Sequence, residues 1–288
     1  MNKPAVLYAL IVLMVAFWAG NYIAGKIALR EFPPLLLAGV RIAMAGILIL
    51  PLYAWRHGAE LHSLEPRLVM LGLLGVTLNQ VFFMIGLSLT SLAHAALING
   101  LTPILVLLLA YLRGLERMTT RKVAGMIVAL AGVALLKALE PASGGQATWS
   151  GDSFILCGAL CFALFTVFGK ETAKRYDSIT LNTVAYVAGA IALSPITVWQ
   201  AGRHPLATIS AGAWMAVLYM AMFSSVVAYL IYYYALTRIA ASRVAAFSYL
   251  QPVFALGLGA AILNESIGAP EIGSGLAILT GVYLAERG

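Results

Sequence analysis

Asn79, Gln80 and Asn99 are amides set inside long apolar runs, and so is Asn21, close to Trp18 and Tyr22. Thr102 in one run and Ser248 with Gln251 in another add further polar groups. Polar side chains in such surroundings are costly inside a bilayer, and they often mark a substrate or ion pathway. Their spacing groups them. Asn99 and Thr102 are i and i+3, which puts them on one helical face. Gln80 and Phe83 share a face in the same way, and Ser225, Tyr229 and Tyr233 follow at four-residue steps. Trp18, Asn21, Asn79, Gln80, Phe83, Asn99, Thr102, Tyr229, Tyr233, Ser248 and Gln251 thus form a candidate lining for a small-molecule cavity. Amides, hydroxyls and aromatic walls suit an amphipathic zwitterion, with polar atoms for its amine and carboxylate and rings for its side chain. The same residues have a plainer use. Ser, Thr and Asn bond across packed helices for roughly 0.6 kcal/mol each, and Tyr and Trp collect in the interfacial belt. His94, at the outer start of its run, fits the interface as well as a cavity.

Other chemistry lacks its residues. An intramembrane protease or acyl transferase needs paired mid-span aspartates, a Ser with a His, or a His/Glu metal cluster. None of the 11 acidic residues falls mid-run. Glu116 and Glu265 lie at run ends, where they can cap a helix or steady a loop. Cys157 and Cys161, four apart in one run, read as packed thiols rather than a disulfide. No catalytic residue, metal ligand or cofactor is therefore expected, and no G-x-x-x-x-G-K-[S/T] loop exists to bind ATP. Proton coupling through a buried carboxylate is not expected either; movement down the substrate's own gradient is the simpler mechanism. A channel would want rings of charges or carbonyls.

The elements that must position these residues follow from composition. Of 288 residues, 62% are hydrophobic and only 10% charged, with a mean hydropathy of +0.93. Soluble domains carry about 25% charged residues, so the solvent here is lipid. A spanning helix needs roughly 20 apolar residues. Apolar runs and their breakers predict ten spans, at 5–29, 34–53, 67–89, 93–112, 121–138, 153–173, 179–199, 212–236, 241–263 and 270–285. The first is longer than a signal-peptide core and is read as a retained helix. Lys26 and Lys170 lie at span ends and are expected to snorkel to the interface; Arg41, deeper in its span, either snorkels or pairs with Glu31 or a carbonyl. The net charge of +7 is no nucleic-acid footprint, because the basic residues form short clusters between runs. With both termini inside, only Lys26, Arg30, Arg41, Lys137 and Arg203 of the 18 basic residues lie outside, as the positive-inside rule requires.

The chain also repeats itself. Pro103, Glu116, Leu130 and Gly132 recur 149 positions later as Pro252, Glu265, Leu279 and Gly281. Gly25, Lys26 and Pro51 recur 144 positions later as Gly169, Lys170 and Pro195. Thr102 and Gln251, each preceding a repeated proline, become partners. Five spans per copy force the second copy to enter the membrane upside down. Inverted repeats place a site near the midplane between the halves and give alternating access by rocking. Gly72, Gly75, Gly125, Gly132, Gly257 and Gly259 supply small surfaces for close helix packing.

Trp18-Ala-Gly-Asn21 with Lys26 and Arg41, then Leu101-Thr-Pro103 followed by Gly114-Leu-Glu116-Arg117-Met-Thr119, resemble the EamA-type members of the drug/metabolite transporter superfamily. Leu250-Gln-Pro252 and Asn264-Glu265 repeat the pattern, with Asn264 departing from Leu115 of the first copy. Within that family the chain resembles the YddG-type amino-acid exporters, which favour aromatic amino acids and related metabolites. The resemblance implies an all-α membrane protein of ten transmembrane helices in two inverted five-helix repeats, at 1–140 and 151–288 with a linker at 141–150. It also implies a bacterial inner-membrane location, a central cavity, an amino-acid substrate, export from the cytoplasm and function as a monomer. Export of drugs or other small metabolites is the alternative.

Overall fold

The computed structural model describes residues 4–58, 65–90, 95, 98–139, 148–251, 253–254 and 269–288. His94, Pro252, Gly257, Gly259, Asn264, Glu265 and most of the expected 141–150 linker lie outside them. Among the described residues every regular element is helical.

Local chemistry sets the helix ends. Helix α1, Pro4–Ala28, is followed by the Pro33-Pro34 pair, and α2 runs Pro34–His57. Pro33 is extended (φ −58°, ψ 143°) because a following proline disfavours the helical conformation, while Pro34 suits the first helical turn. Gly58 ends α2 at φ 65°, a region glycine enters without a steric penalty. Helix α3, Pro66–Leu89, and helix α8, Ala211–Leu236, each run without a break. Between them come α4, Thr102–Leu112, α5, Thr120–Leu139, α6, Trp149–Thr172, and α7, Ser178–Ala201. The side chains of Thr148, Asp177 and Ser210 accept from the first backbone N–H groups of α6, α7 and α8. Because of the Thr148 cap, α6 begins within the expected linker. Helix α9, Ala241–Ala246, continues as a 3₁₀ turn, Phe247–Leu250, and α10 is Ala269–Arg287.

Six of these helices, α1, α2, α3, α6, α7 and α8, are long and apolar enough to cross a membrane. Helices α5 and α10 are 20 and 19 residues long; in α10 glycines and terminal charges dilute the hydropathy. The glycines are used against each other. A Cβ on Gly125 would stand 2.4 Å from the Ala285 nitrogen, and one on Gly281 2.4 Å from that of Ala129. This is small-residue packing of the kind that brings membrane helices close.

The two halves cross-pack. Helix α2 lies on α7, α5 on α10, α1 on α8 and α3 on α6, so that each contact has an equivalent when the halves are exchanged. Large apolar side chains such as Ile47, Met70, Ile191 and Val198 point outward and are well exposed, as a lipid-facing surface requires. Cys157 is also exposed rather than packed, and both cysteines are free.

The repeat extends to irregularities. Helix α3 is π-helical over Leu73–Leu78 and α8 over Met220–Val227, and both segments end at equivalent positions, 78 and 227. A π segment displaces backbone carbonyls from the regular ladder. Side chains from neighbouring helices take several of them: Tyr229 Oη donates to Gly75 O, Trp18 Nε1 to Ser224 O, and Asn182 Nδ2 to Val226 O.

Candidate functional site

One helix is interrupted and another tightens to 3₁₀ geometry just before the positions where the sequence repeats its proline. Residues 98–99 are helical, Gly100 and Leu101 form a turn, and α4 restarts at Thr102-Pro103. Leu101 N donates to Ile98 O in a 3₁₀ step. Pro103 has no N–H to give and its ring crowds the carbonyl four residues back, that of Asn99. In the second half the 3₁₀ turn ends at Leu250, just before Gln251. Non-helical backbone at such depth is tolerated where it lines a cavity.

It does so here. A cavity of about 200 Å³ lies between the halves and touches both segments. Trp18, Asn21, Asn79, Gln80, Phe83, Asn99, Thr102, Tyr229, Ser248 and Gln251 all line it. Tyr233 does not. It is 2% exposed, meets Phe165 edge-on at 5.7 Å, and borders a separate small void with Leu68 and Leu181. Three residues turn a helix back by roughly 60° and four carry it on by roughly 40°. The cavity face of α8 takes in Tyr229 and Tyr232, and Tyr233, roughly 100° round the helix from Tyr232, turns toward α6 and α7.

Several lining groups are also braced. Asn79 Nδ2 donates to Gly158 O at 2.9 Å, Gln80 Nε2 to Tyr186 Oη at 3.1 Å, and Asn99 Nδ2 to Tyr22 Oη at 2.8 Å. Ser248 turns its hydroxyl back to Ala245 O. Trp18 stands against three rings, Phe162 at 5.8 Å, Tyr229 at 5.9 Å and Tyr232 at 5.5 Å. The Tyr232 hydroxyl is bonded to Thr166.

The candidate lining left out Arg41, Tyr22, Phe162, Tyr232 and Tyr249, all of which line the cavity. Arg41 neither snorkels nor pairs with Glu31. It is 3% exposed, its Nε donates to Ser225 Oγ, and Glu31 accepts instead from the Ser210 nitrogen and hydroxyl. The repeat held the signal for the rings. Trp18 maps onto Phe162 at 144, and Phe83 and Gly100 map onto Tyr232 and Tyr249 at 149.

The ends of the bundle are closed by polar contacts. Lys26 Nζ donates to Leu87 O and Thr90 O, capping α3, and its equivalent Lys170 donates to Ile239 O beyond the end of α8. Cations at helix C-termini are favourable, so these lysines reach carbonyls rather than the interface. At the end carrying both chain termini, Glu116 accepts from Ser242 of the other half through its N–H and hydroxyl and pairs with Lys122 at 3.0 Å. Burial opposes the charge on Glu116, but Ser242 and Lys122 outweigh it and hold the carboxyl below the usual carboxylate range. Among the described residues, no group of His, Cys, Asp and Glu could hold a metal ion.

Comparison with known proteins agrees with this architecture. The EamA-like transporter family matches the chain twice, over residues 5–138 and 149–286. An uncharacterized transporter of Archaeoglobus fulgidus is 31% identical over 96% of this chain and 96% of its own length. The uncharacterized transporter YyaM of Bacillus subtilis is 29% identical, covering 97% and 93%. The uncharacterized inner membrane transporter YedA of Escherichia coli is 29% identical, covering 92% and 85%. A protein crystal structure superposes with a TM-score of 0.83 at 19% identity, covering 99% of this chain and 98% of the other, a likeness of fold. Two successive copies of one family pattern thus account for nearly all of the sequence, and the chain belongs to the EamA-like transporter family, as a multi-pass membrane transporter.

Proposed function

We propose that this chain exports amino acids, aromatic or otherwise amphipathic, across a bacterial inner membrane by alternating access through the central cavity. In this reading it has ten transmembrane helices in two inverted five-helix repeats, at 1–140 and 151–288, with both termini cytoplasmic, and it works as a monomer. The observation that carries the reading is the cavity itself, whose lining combines amides and a guanidinium with a cluster of rings. A zwitterion with an aromatic side chain needs both kinds of wall. Equivalent lysines, Lys26 and Lys170, cap helices at opposite ends of the bundle, as inverted copies would. The resemblance to YddG-type exporters and the inner-membrane relative point the same way.

A transport panel in liposomes tests it. Purified protein should move phenylalanine, tryptophan or a comparable amino acid, and a pH gradient should leave the rate little changed. Movement of amphipathic drugs with no amino acid transported would replace this reading with a multidrug one. Strong dependence on the pH gradient would sink the facilitated mechanism.

A further inference from the structure

Among the described residues, Arg41 is a cation without a carboxylate partner. It lines the cavity, yet its side chain is almost wholly buried. Among the described residues it has one hydrogen bond, from Nε to Ser225 Oγ at 3.1 Å, and it forms no ion pair with a carboxylate. Guanidinium presents five N–H donors in a fork that matches a carboxylate bidentately. A buried charge left in this state is costly unless something completes it.

The surroundings have the opposite need. Asn21 Oδ1 and Gln80 Oε1 are buried acceptors with no hydrogen-bond partner, and both residues line the same cavity. Gln80 Nε2 donates to Tyr186 Oη, and Arg41 Nε donates to Ser225 Oγ. The cavity thus offers unused donors on a positive group and unused carbonyl acceptors. An ammonium next to a carboxylate satisfies both.

We propose that Arg41 is the carboxylate receptor of this cavity, so that a substrate must carry a free carboxylate, with Asn21 and Gln80 accepting from its ammonium. The proposal rests on the cavity being the transport site.

Uptake into liposomes of phenylalanine, phenylalaninamide, phenethylamine and 3-phenylpropionate, each radiolabelled, tests it on the wild-type chain, R41K and R41Q. A lost charge-assisted hydrogen-bond pair corresponds to about 10- to 100-fold. Wild type should therefore favour phenylalanine over its amide and over phenethylamine by that factor. R41K should keep part of the preference and R41Q should lose it, with thermal unfolding in detergent confirming that each variant is folded. Should R41Q fail to fold, the wild-type series and R41K decide. Equal transport of phenylalanine and its amide, or an unchanged preference in R41Q, overturns the receptor role and leaves the amino-acid reading standing. Transport of 3-phenylpropionate but no amino acid, lost in R41Q, does the reverse: the receptor stands and the amino-acid reading falls.

Discussion

The two halves of this transporter give its cavity unlike walls from like positions. Gln80 of the first half corresponds to Tyr229 of the second, Phe83 to Tyr232, Asn99 to Ser248, Thr102 to Gln251 and Trp18 to Phe162, and all of them line the cavity. The backbone devices are shared: a π segment ending at 78 and at 227, and an interrupted or tightened helix before each repeated proline. The side chains have diverged. The first half supplies Arg41 and most of the amides, and the second supplies rings that pack against one another. A symmetric scaffold can therefore hold an asymmetric molecule. The ring wall is self-supporting, whereas the amide wall leaves acceptors unmet. Loss of a ring should cost the fold, and loss of an amide should cost transport.

The largest expected effect tests the ring wall. Tyr232 is fully buried among Trp18, Phe162 and Phe165. Tyr232→Ala should destabilise the protein by about 3–5 kcal/mol, the cost of emptying an aromatic core position. Thermal unfolding in detergent measures it; an unchanged midpoint would mean the rings are not a structural wall.

Next comes the contact that ties the halves at the end with both termini. Glu116→Gln should cost about 1–3 kcal/mol, because Lys122 and Ser242 lose their charged acceptor. The Glu116 carboxyl titrates below its ordinary value in the folded chain. Its contribution is thus fully present above the ordinary carboxylate pKa and is lost as pH falls through the lowered one. Melting curves from neutral to acid pH should show this loss in the wild type and a shallower slope in Glu116→Gln.

The amide wall should respond in the opposite sense. Gln80→Leu should reduce transport about tenfold, close to 1.4 kcal/mol, with little change in melting. If melting falls as far as in Tyr232→Ala, the two walls do not differ in kind. The smallest effect belongs to the equivalent lysines. Lys26→Met and Lys170→Met should each cost about 0.3–1 kcal/mol, the usual worth of a cation at a helix C-terminus. Paired melts check whether their roles match.

Much of this was written locally. The Pro33-Pro34 pair, Gly58, Asp177 and Ser210 mark helix ends through φ limits and caps that depend on nearby residues only. The polar positions inside apolar runs are likewise visible, because lipid makes them conspicuous. Helix α6 starts earlier than its apolar run at 153 suggests, because Thr148, a cap, reads as loop until its bond to the Gly151 nitrogen is seen.

By itself, then, the sequence determined the helical class, the repeat and most of the cavity's polar members, since hydropathy and offset need no partner to be read. Only the tertiary structure decided which way a side chain turns. Tyr233 stands one residue beyond Tyr232, yet it faces away, because the helix face presented to the cavity is fixed by packing against α6 and α7. Arg41 looked like a snorkelling cation, since nothing local says that Ser225, 184 positions away, would receive it inside the bundle.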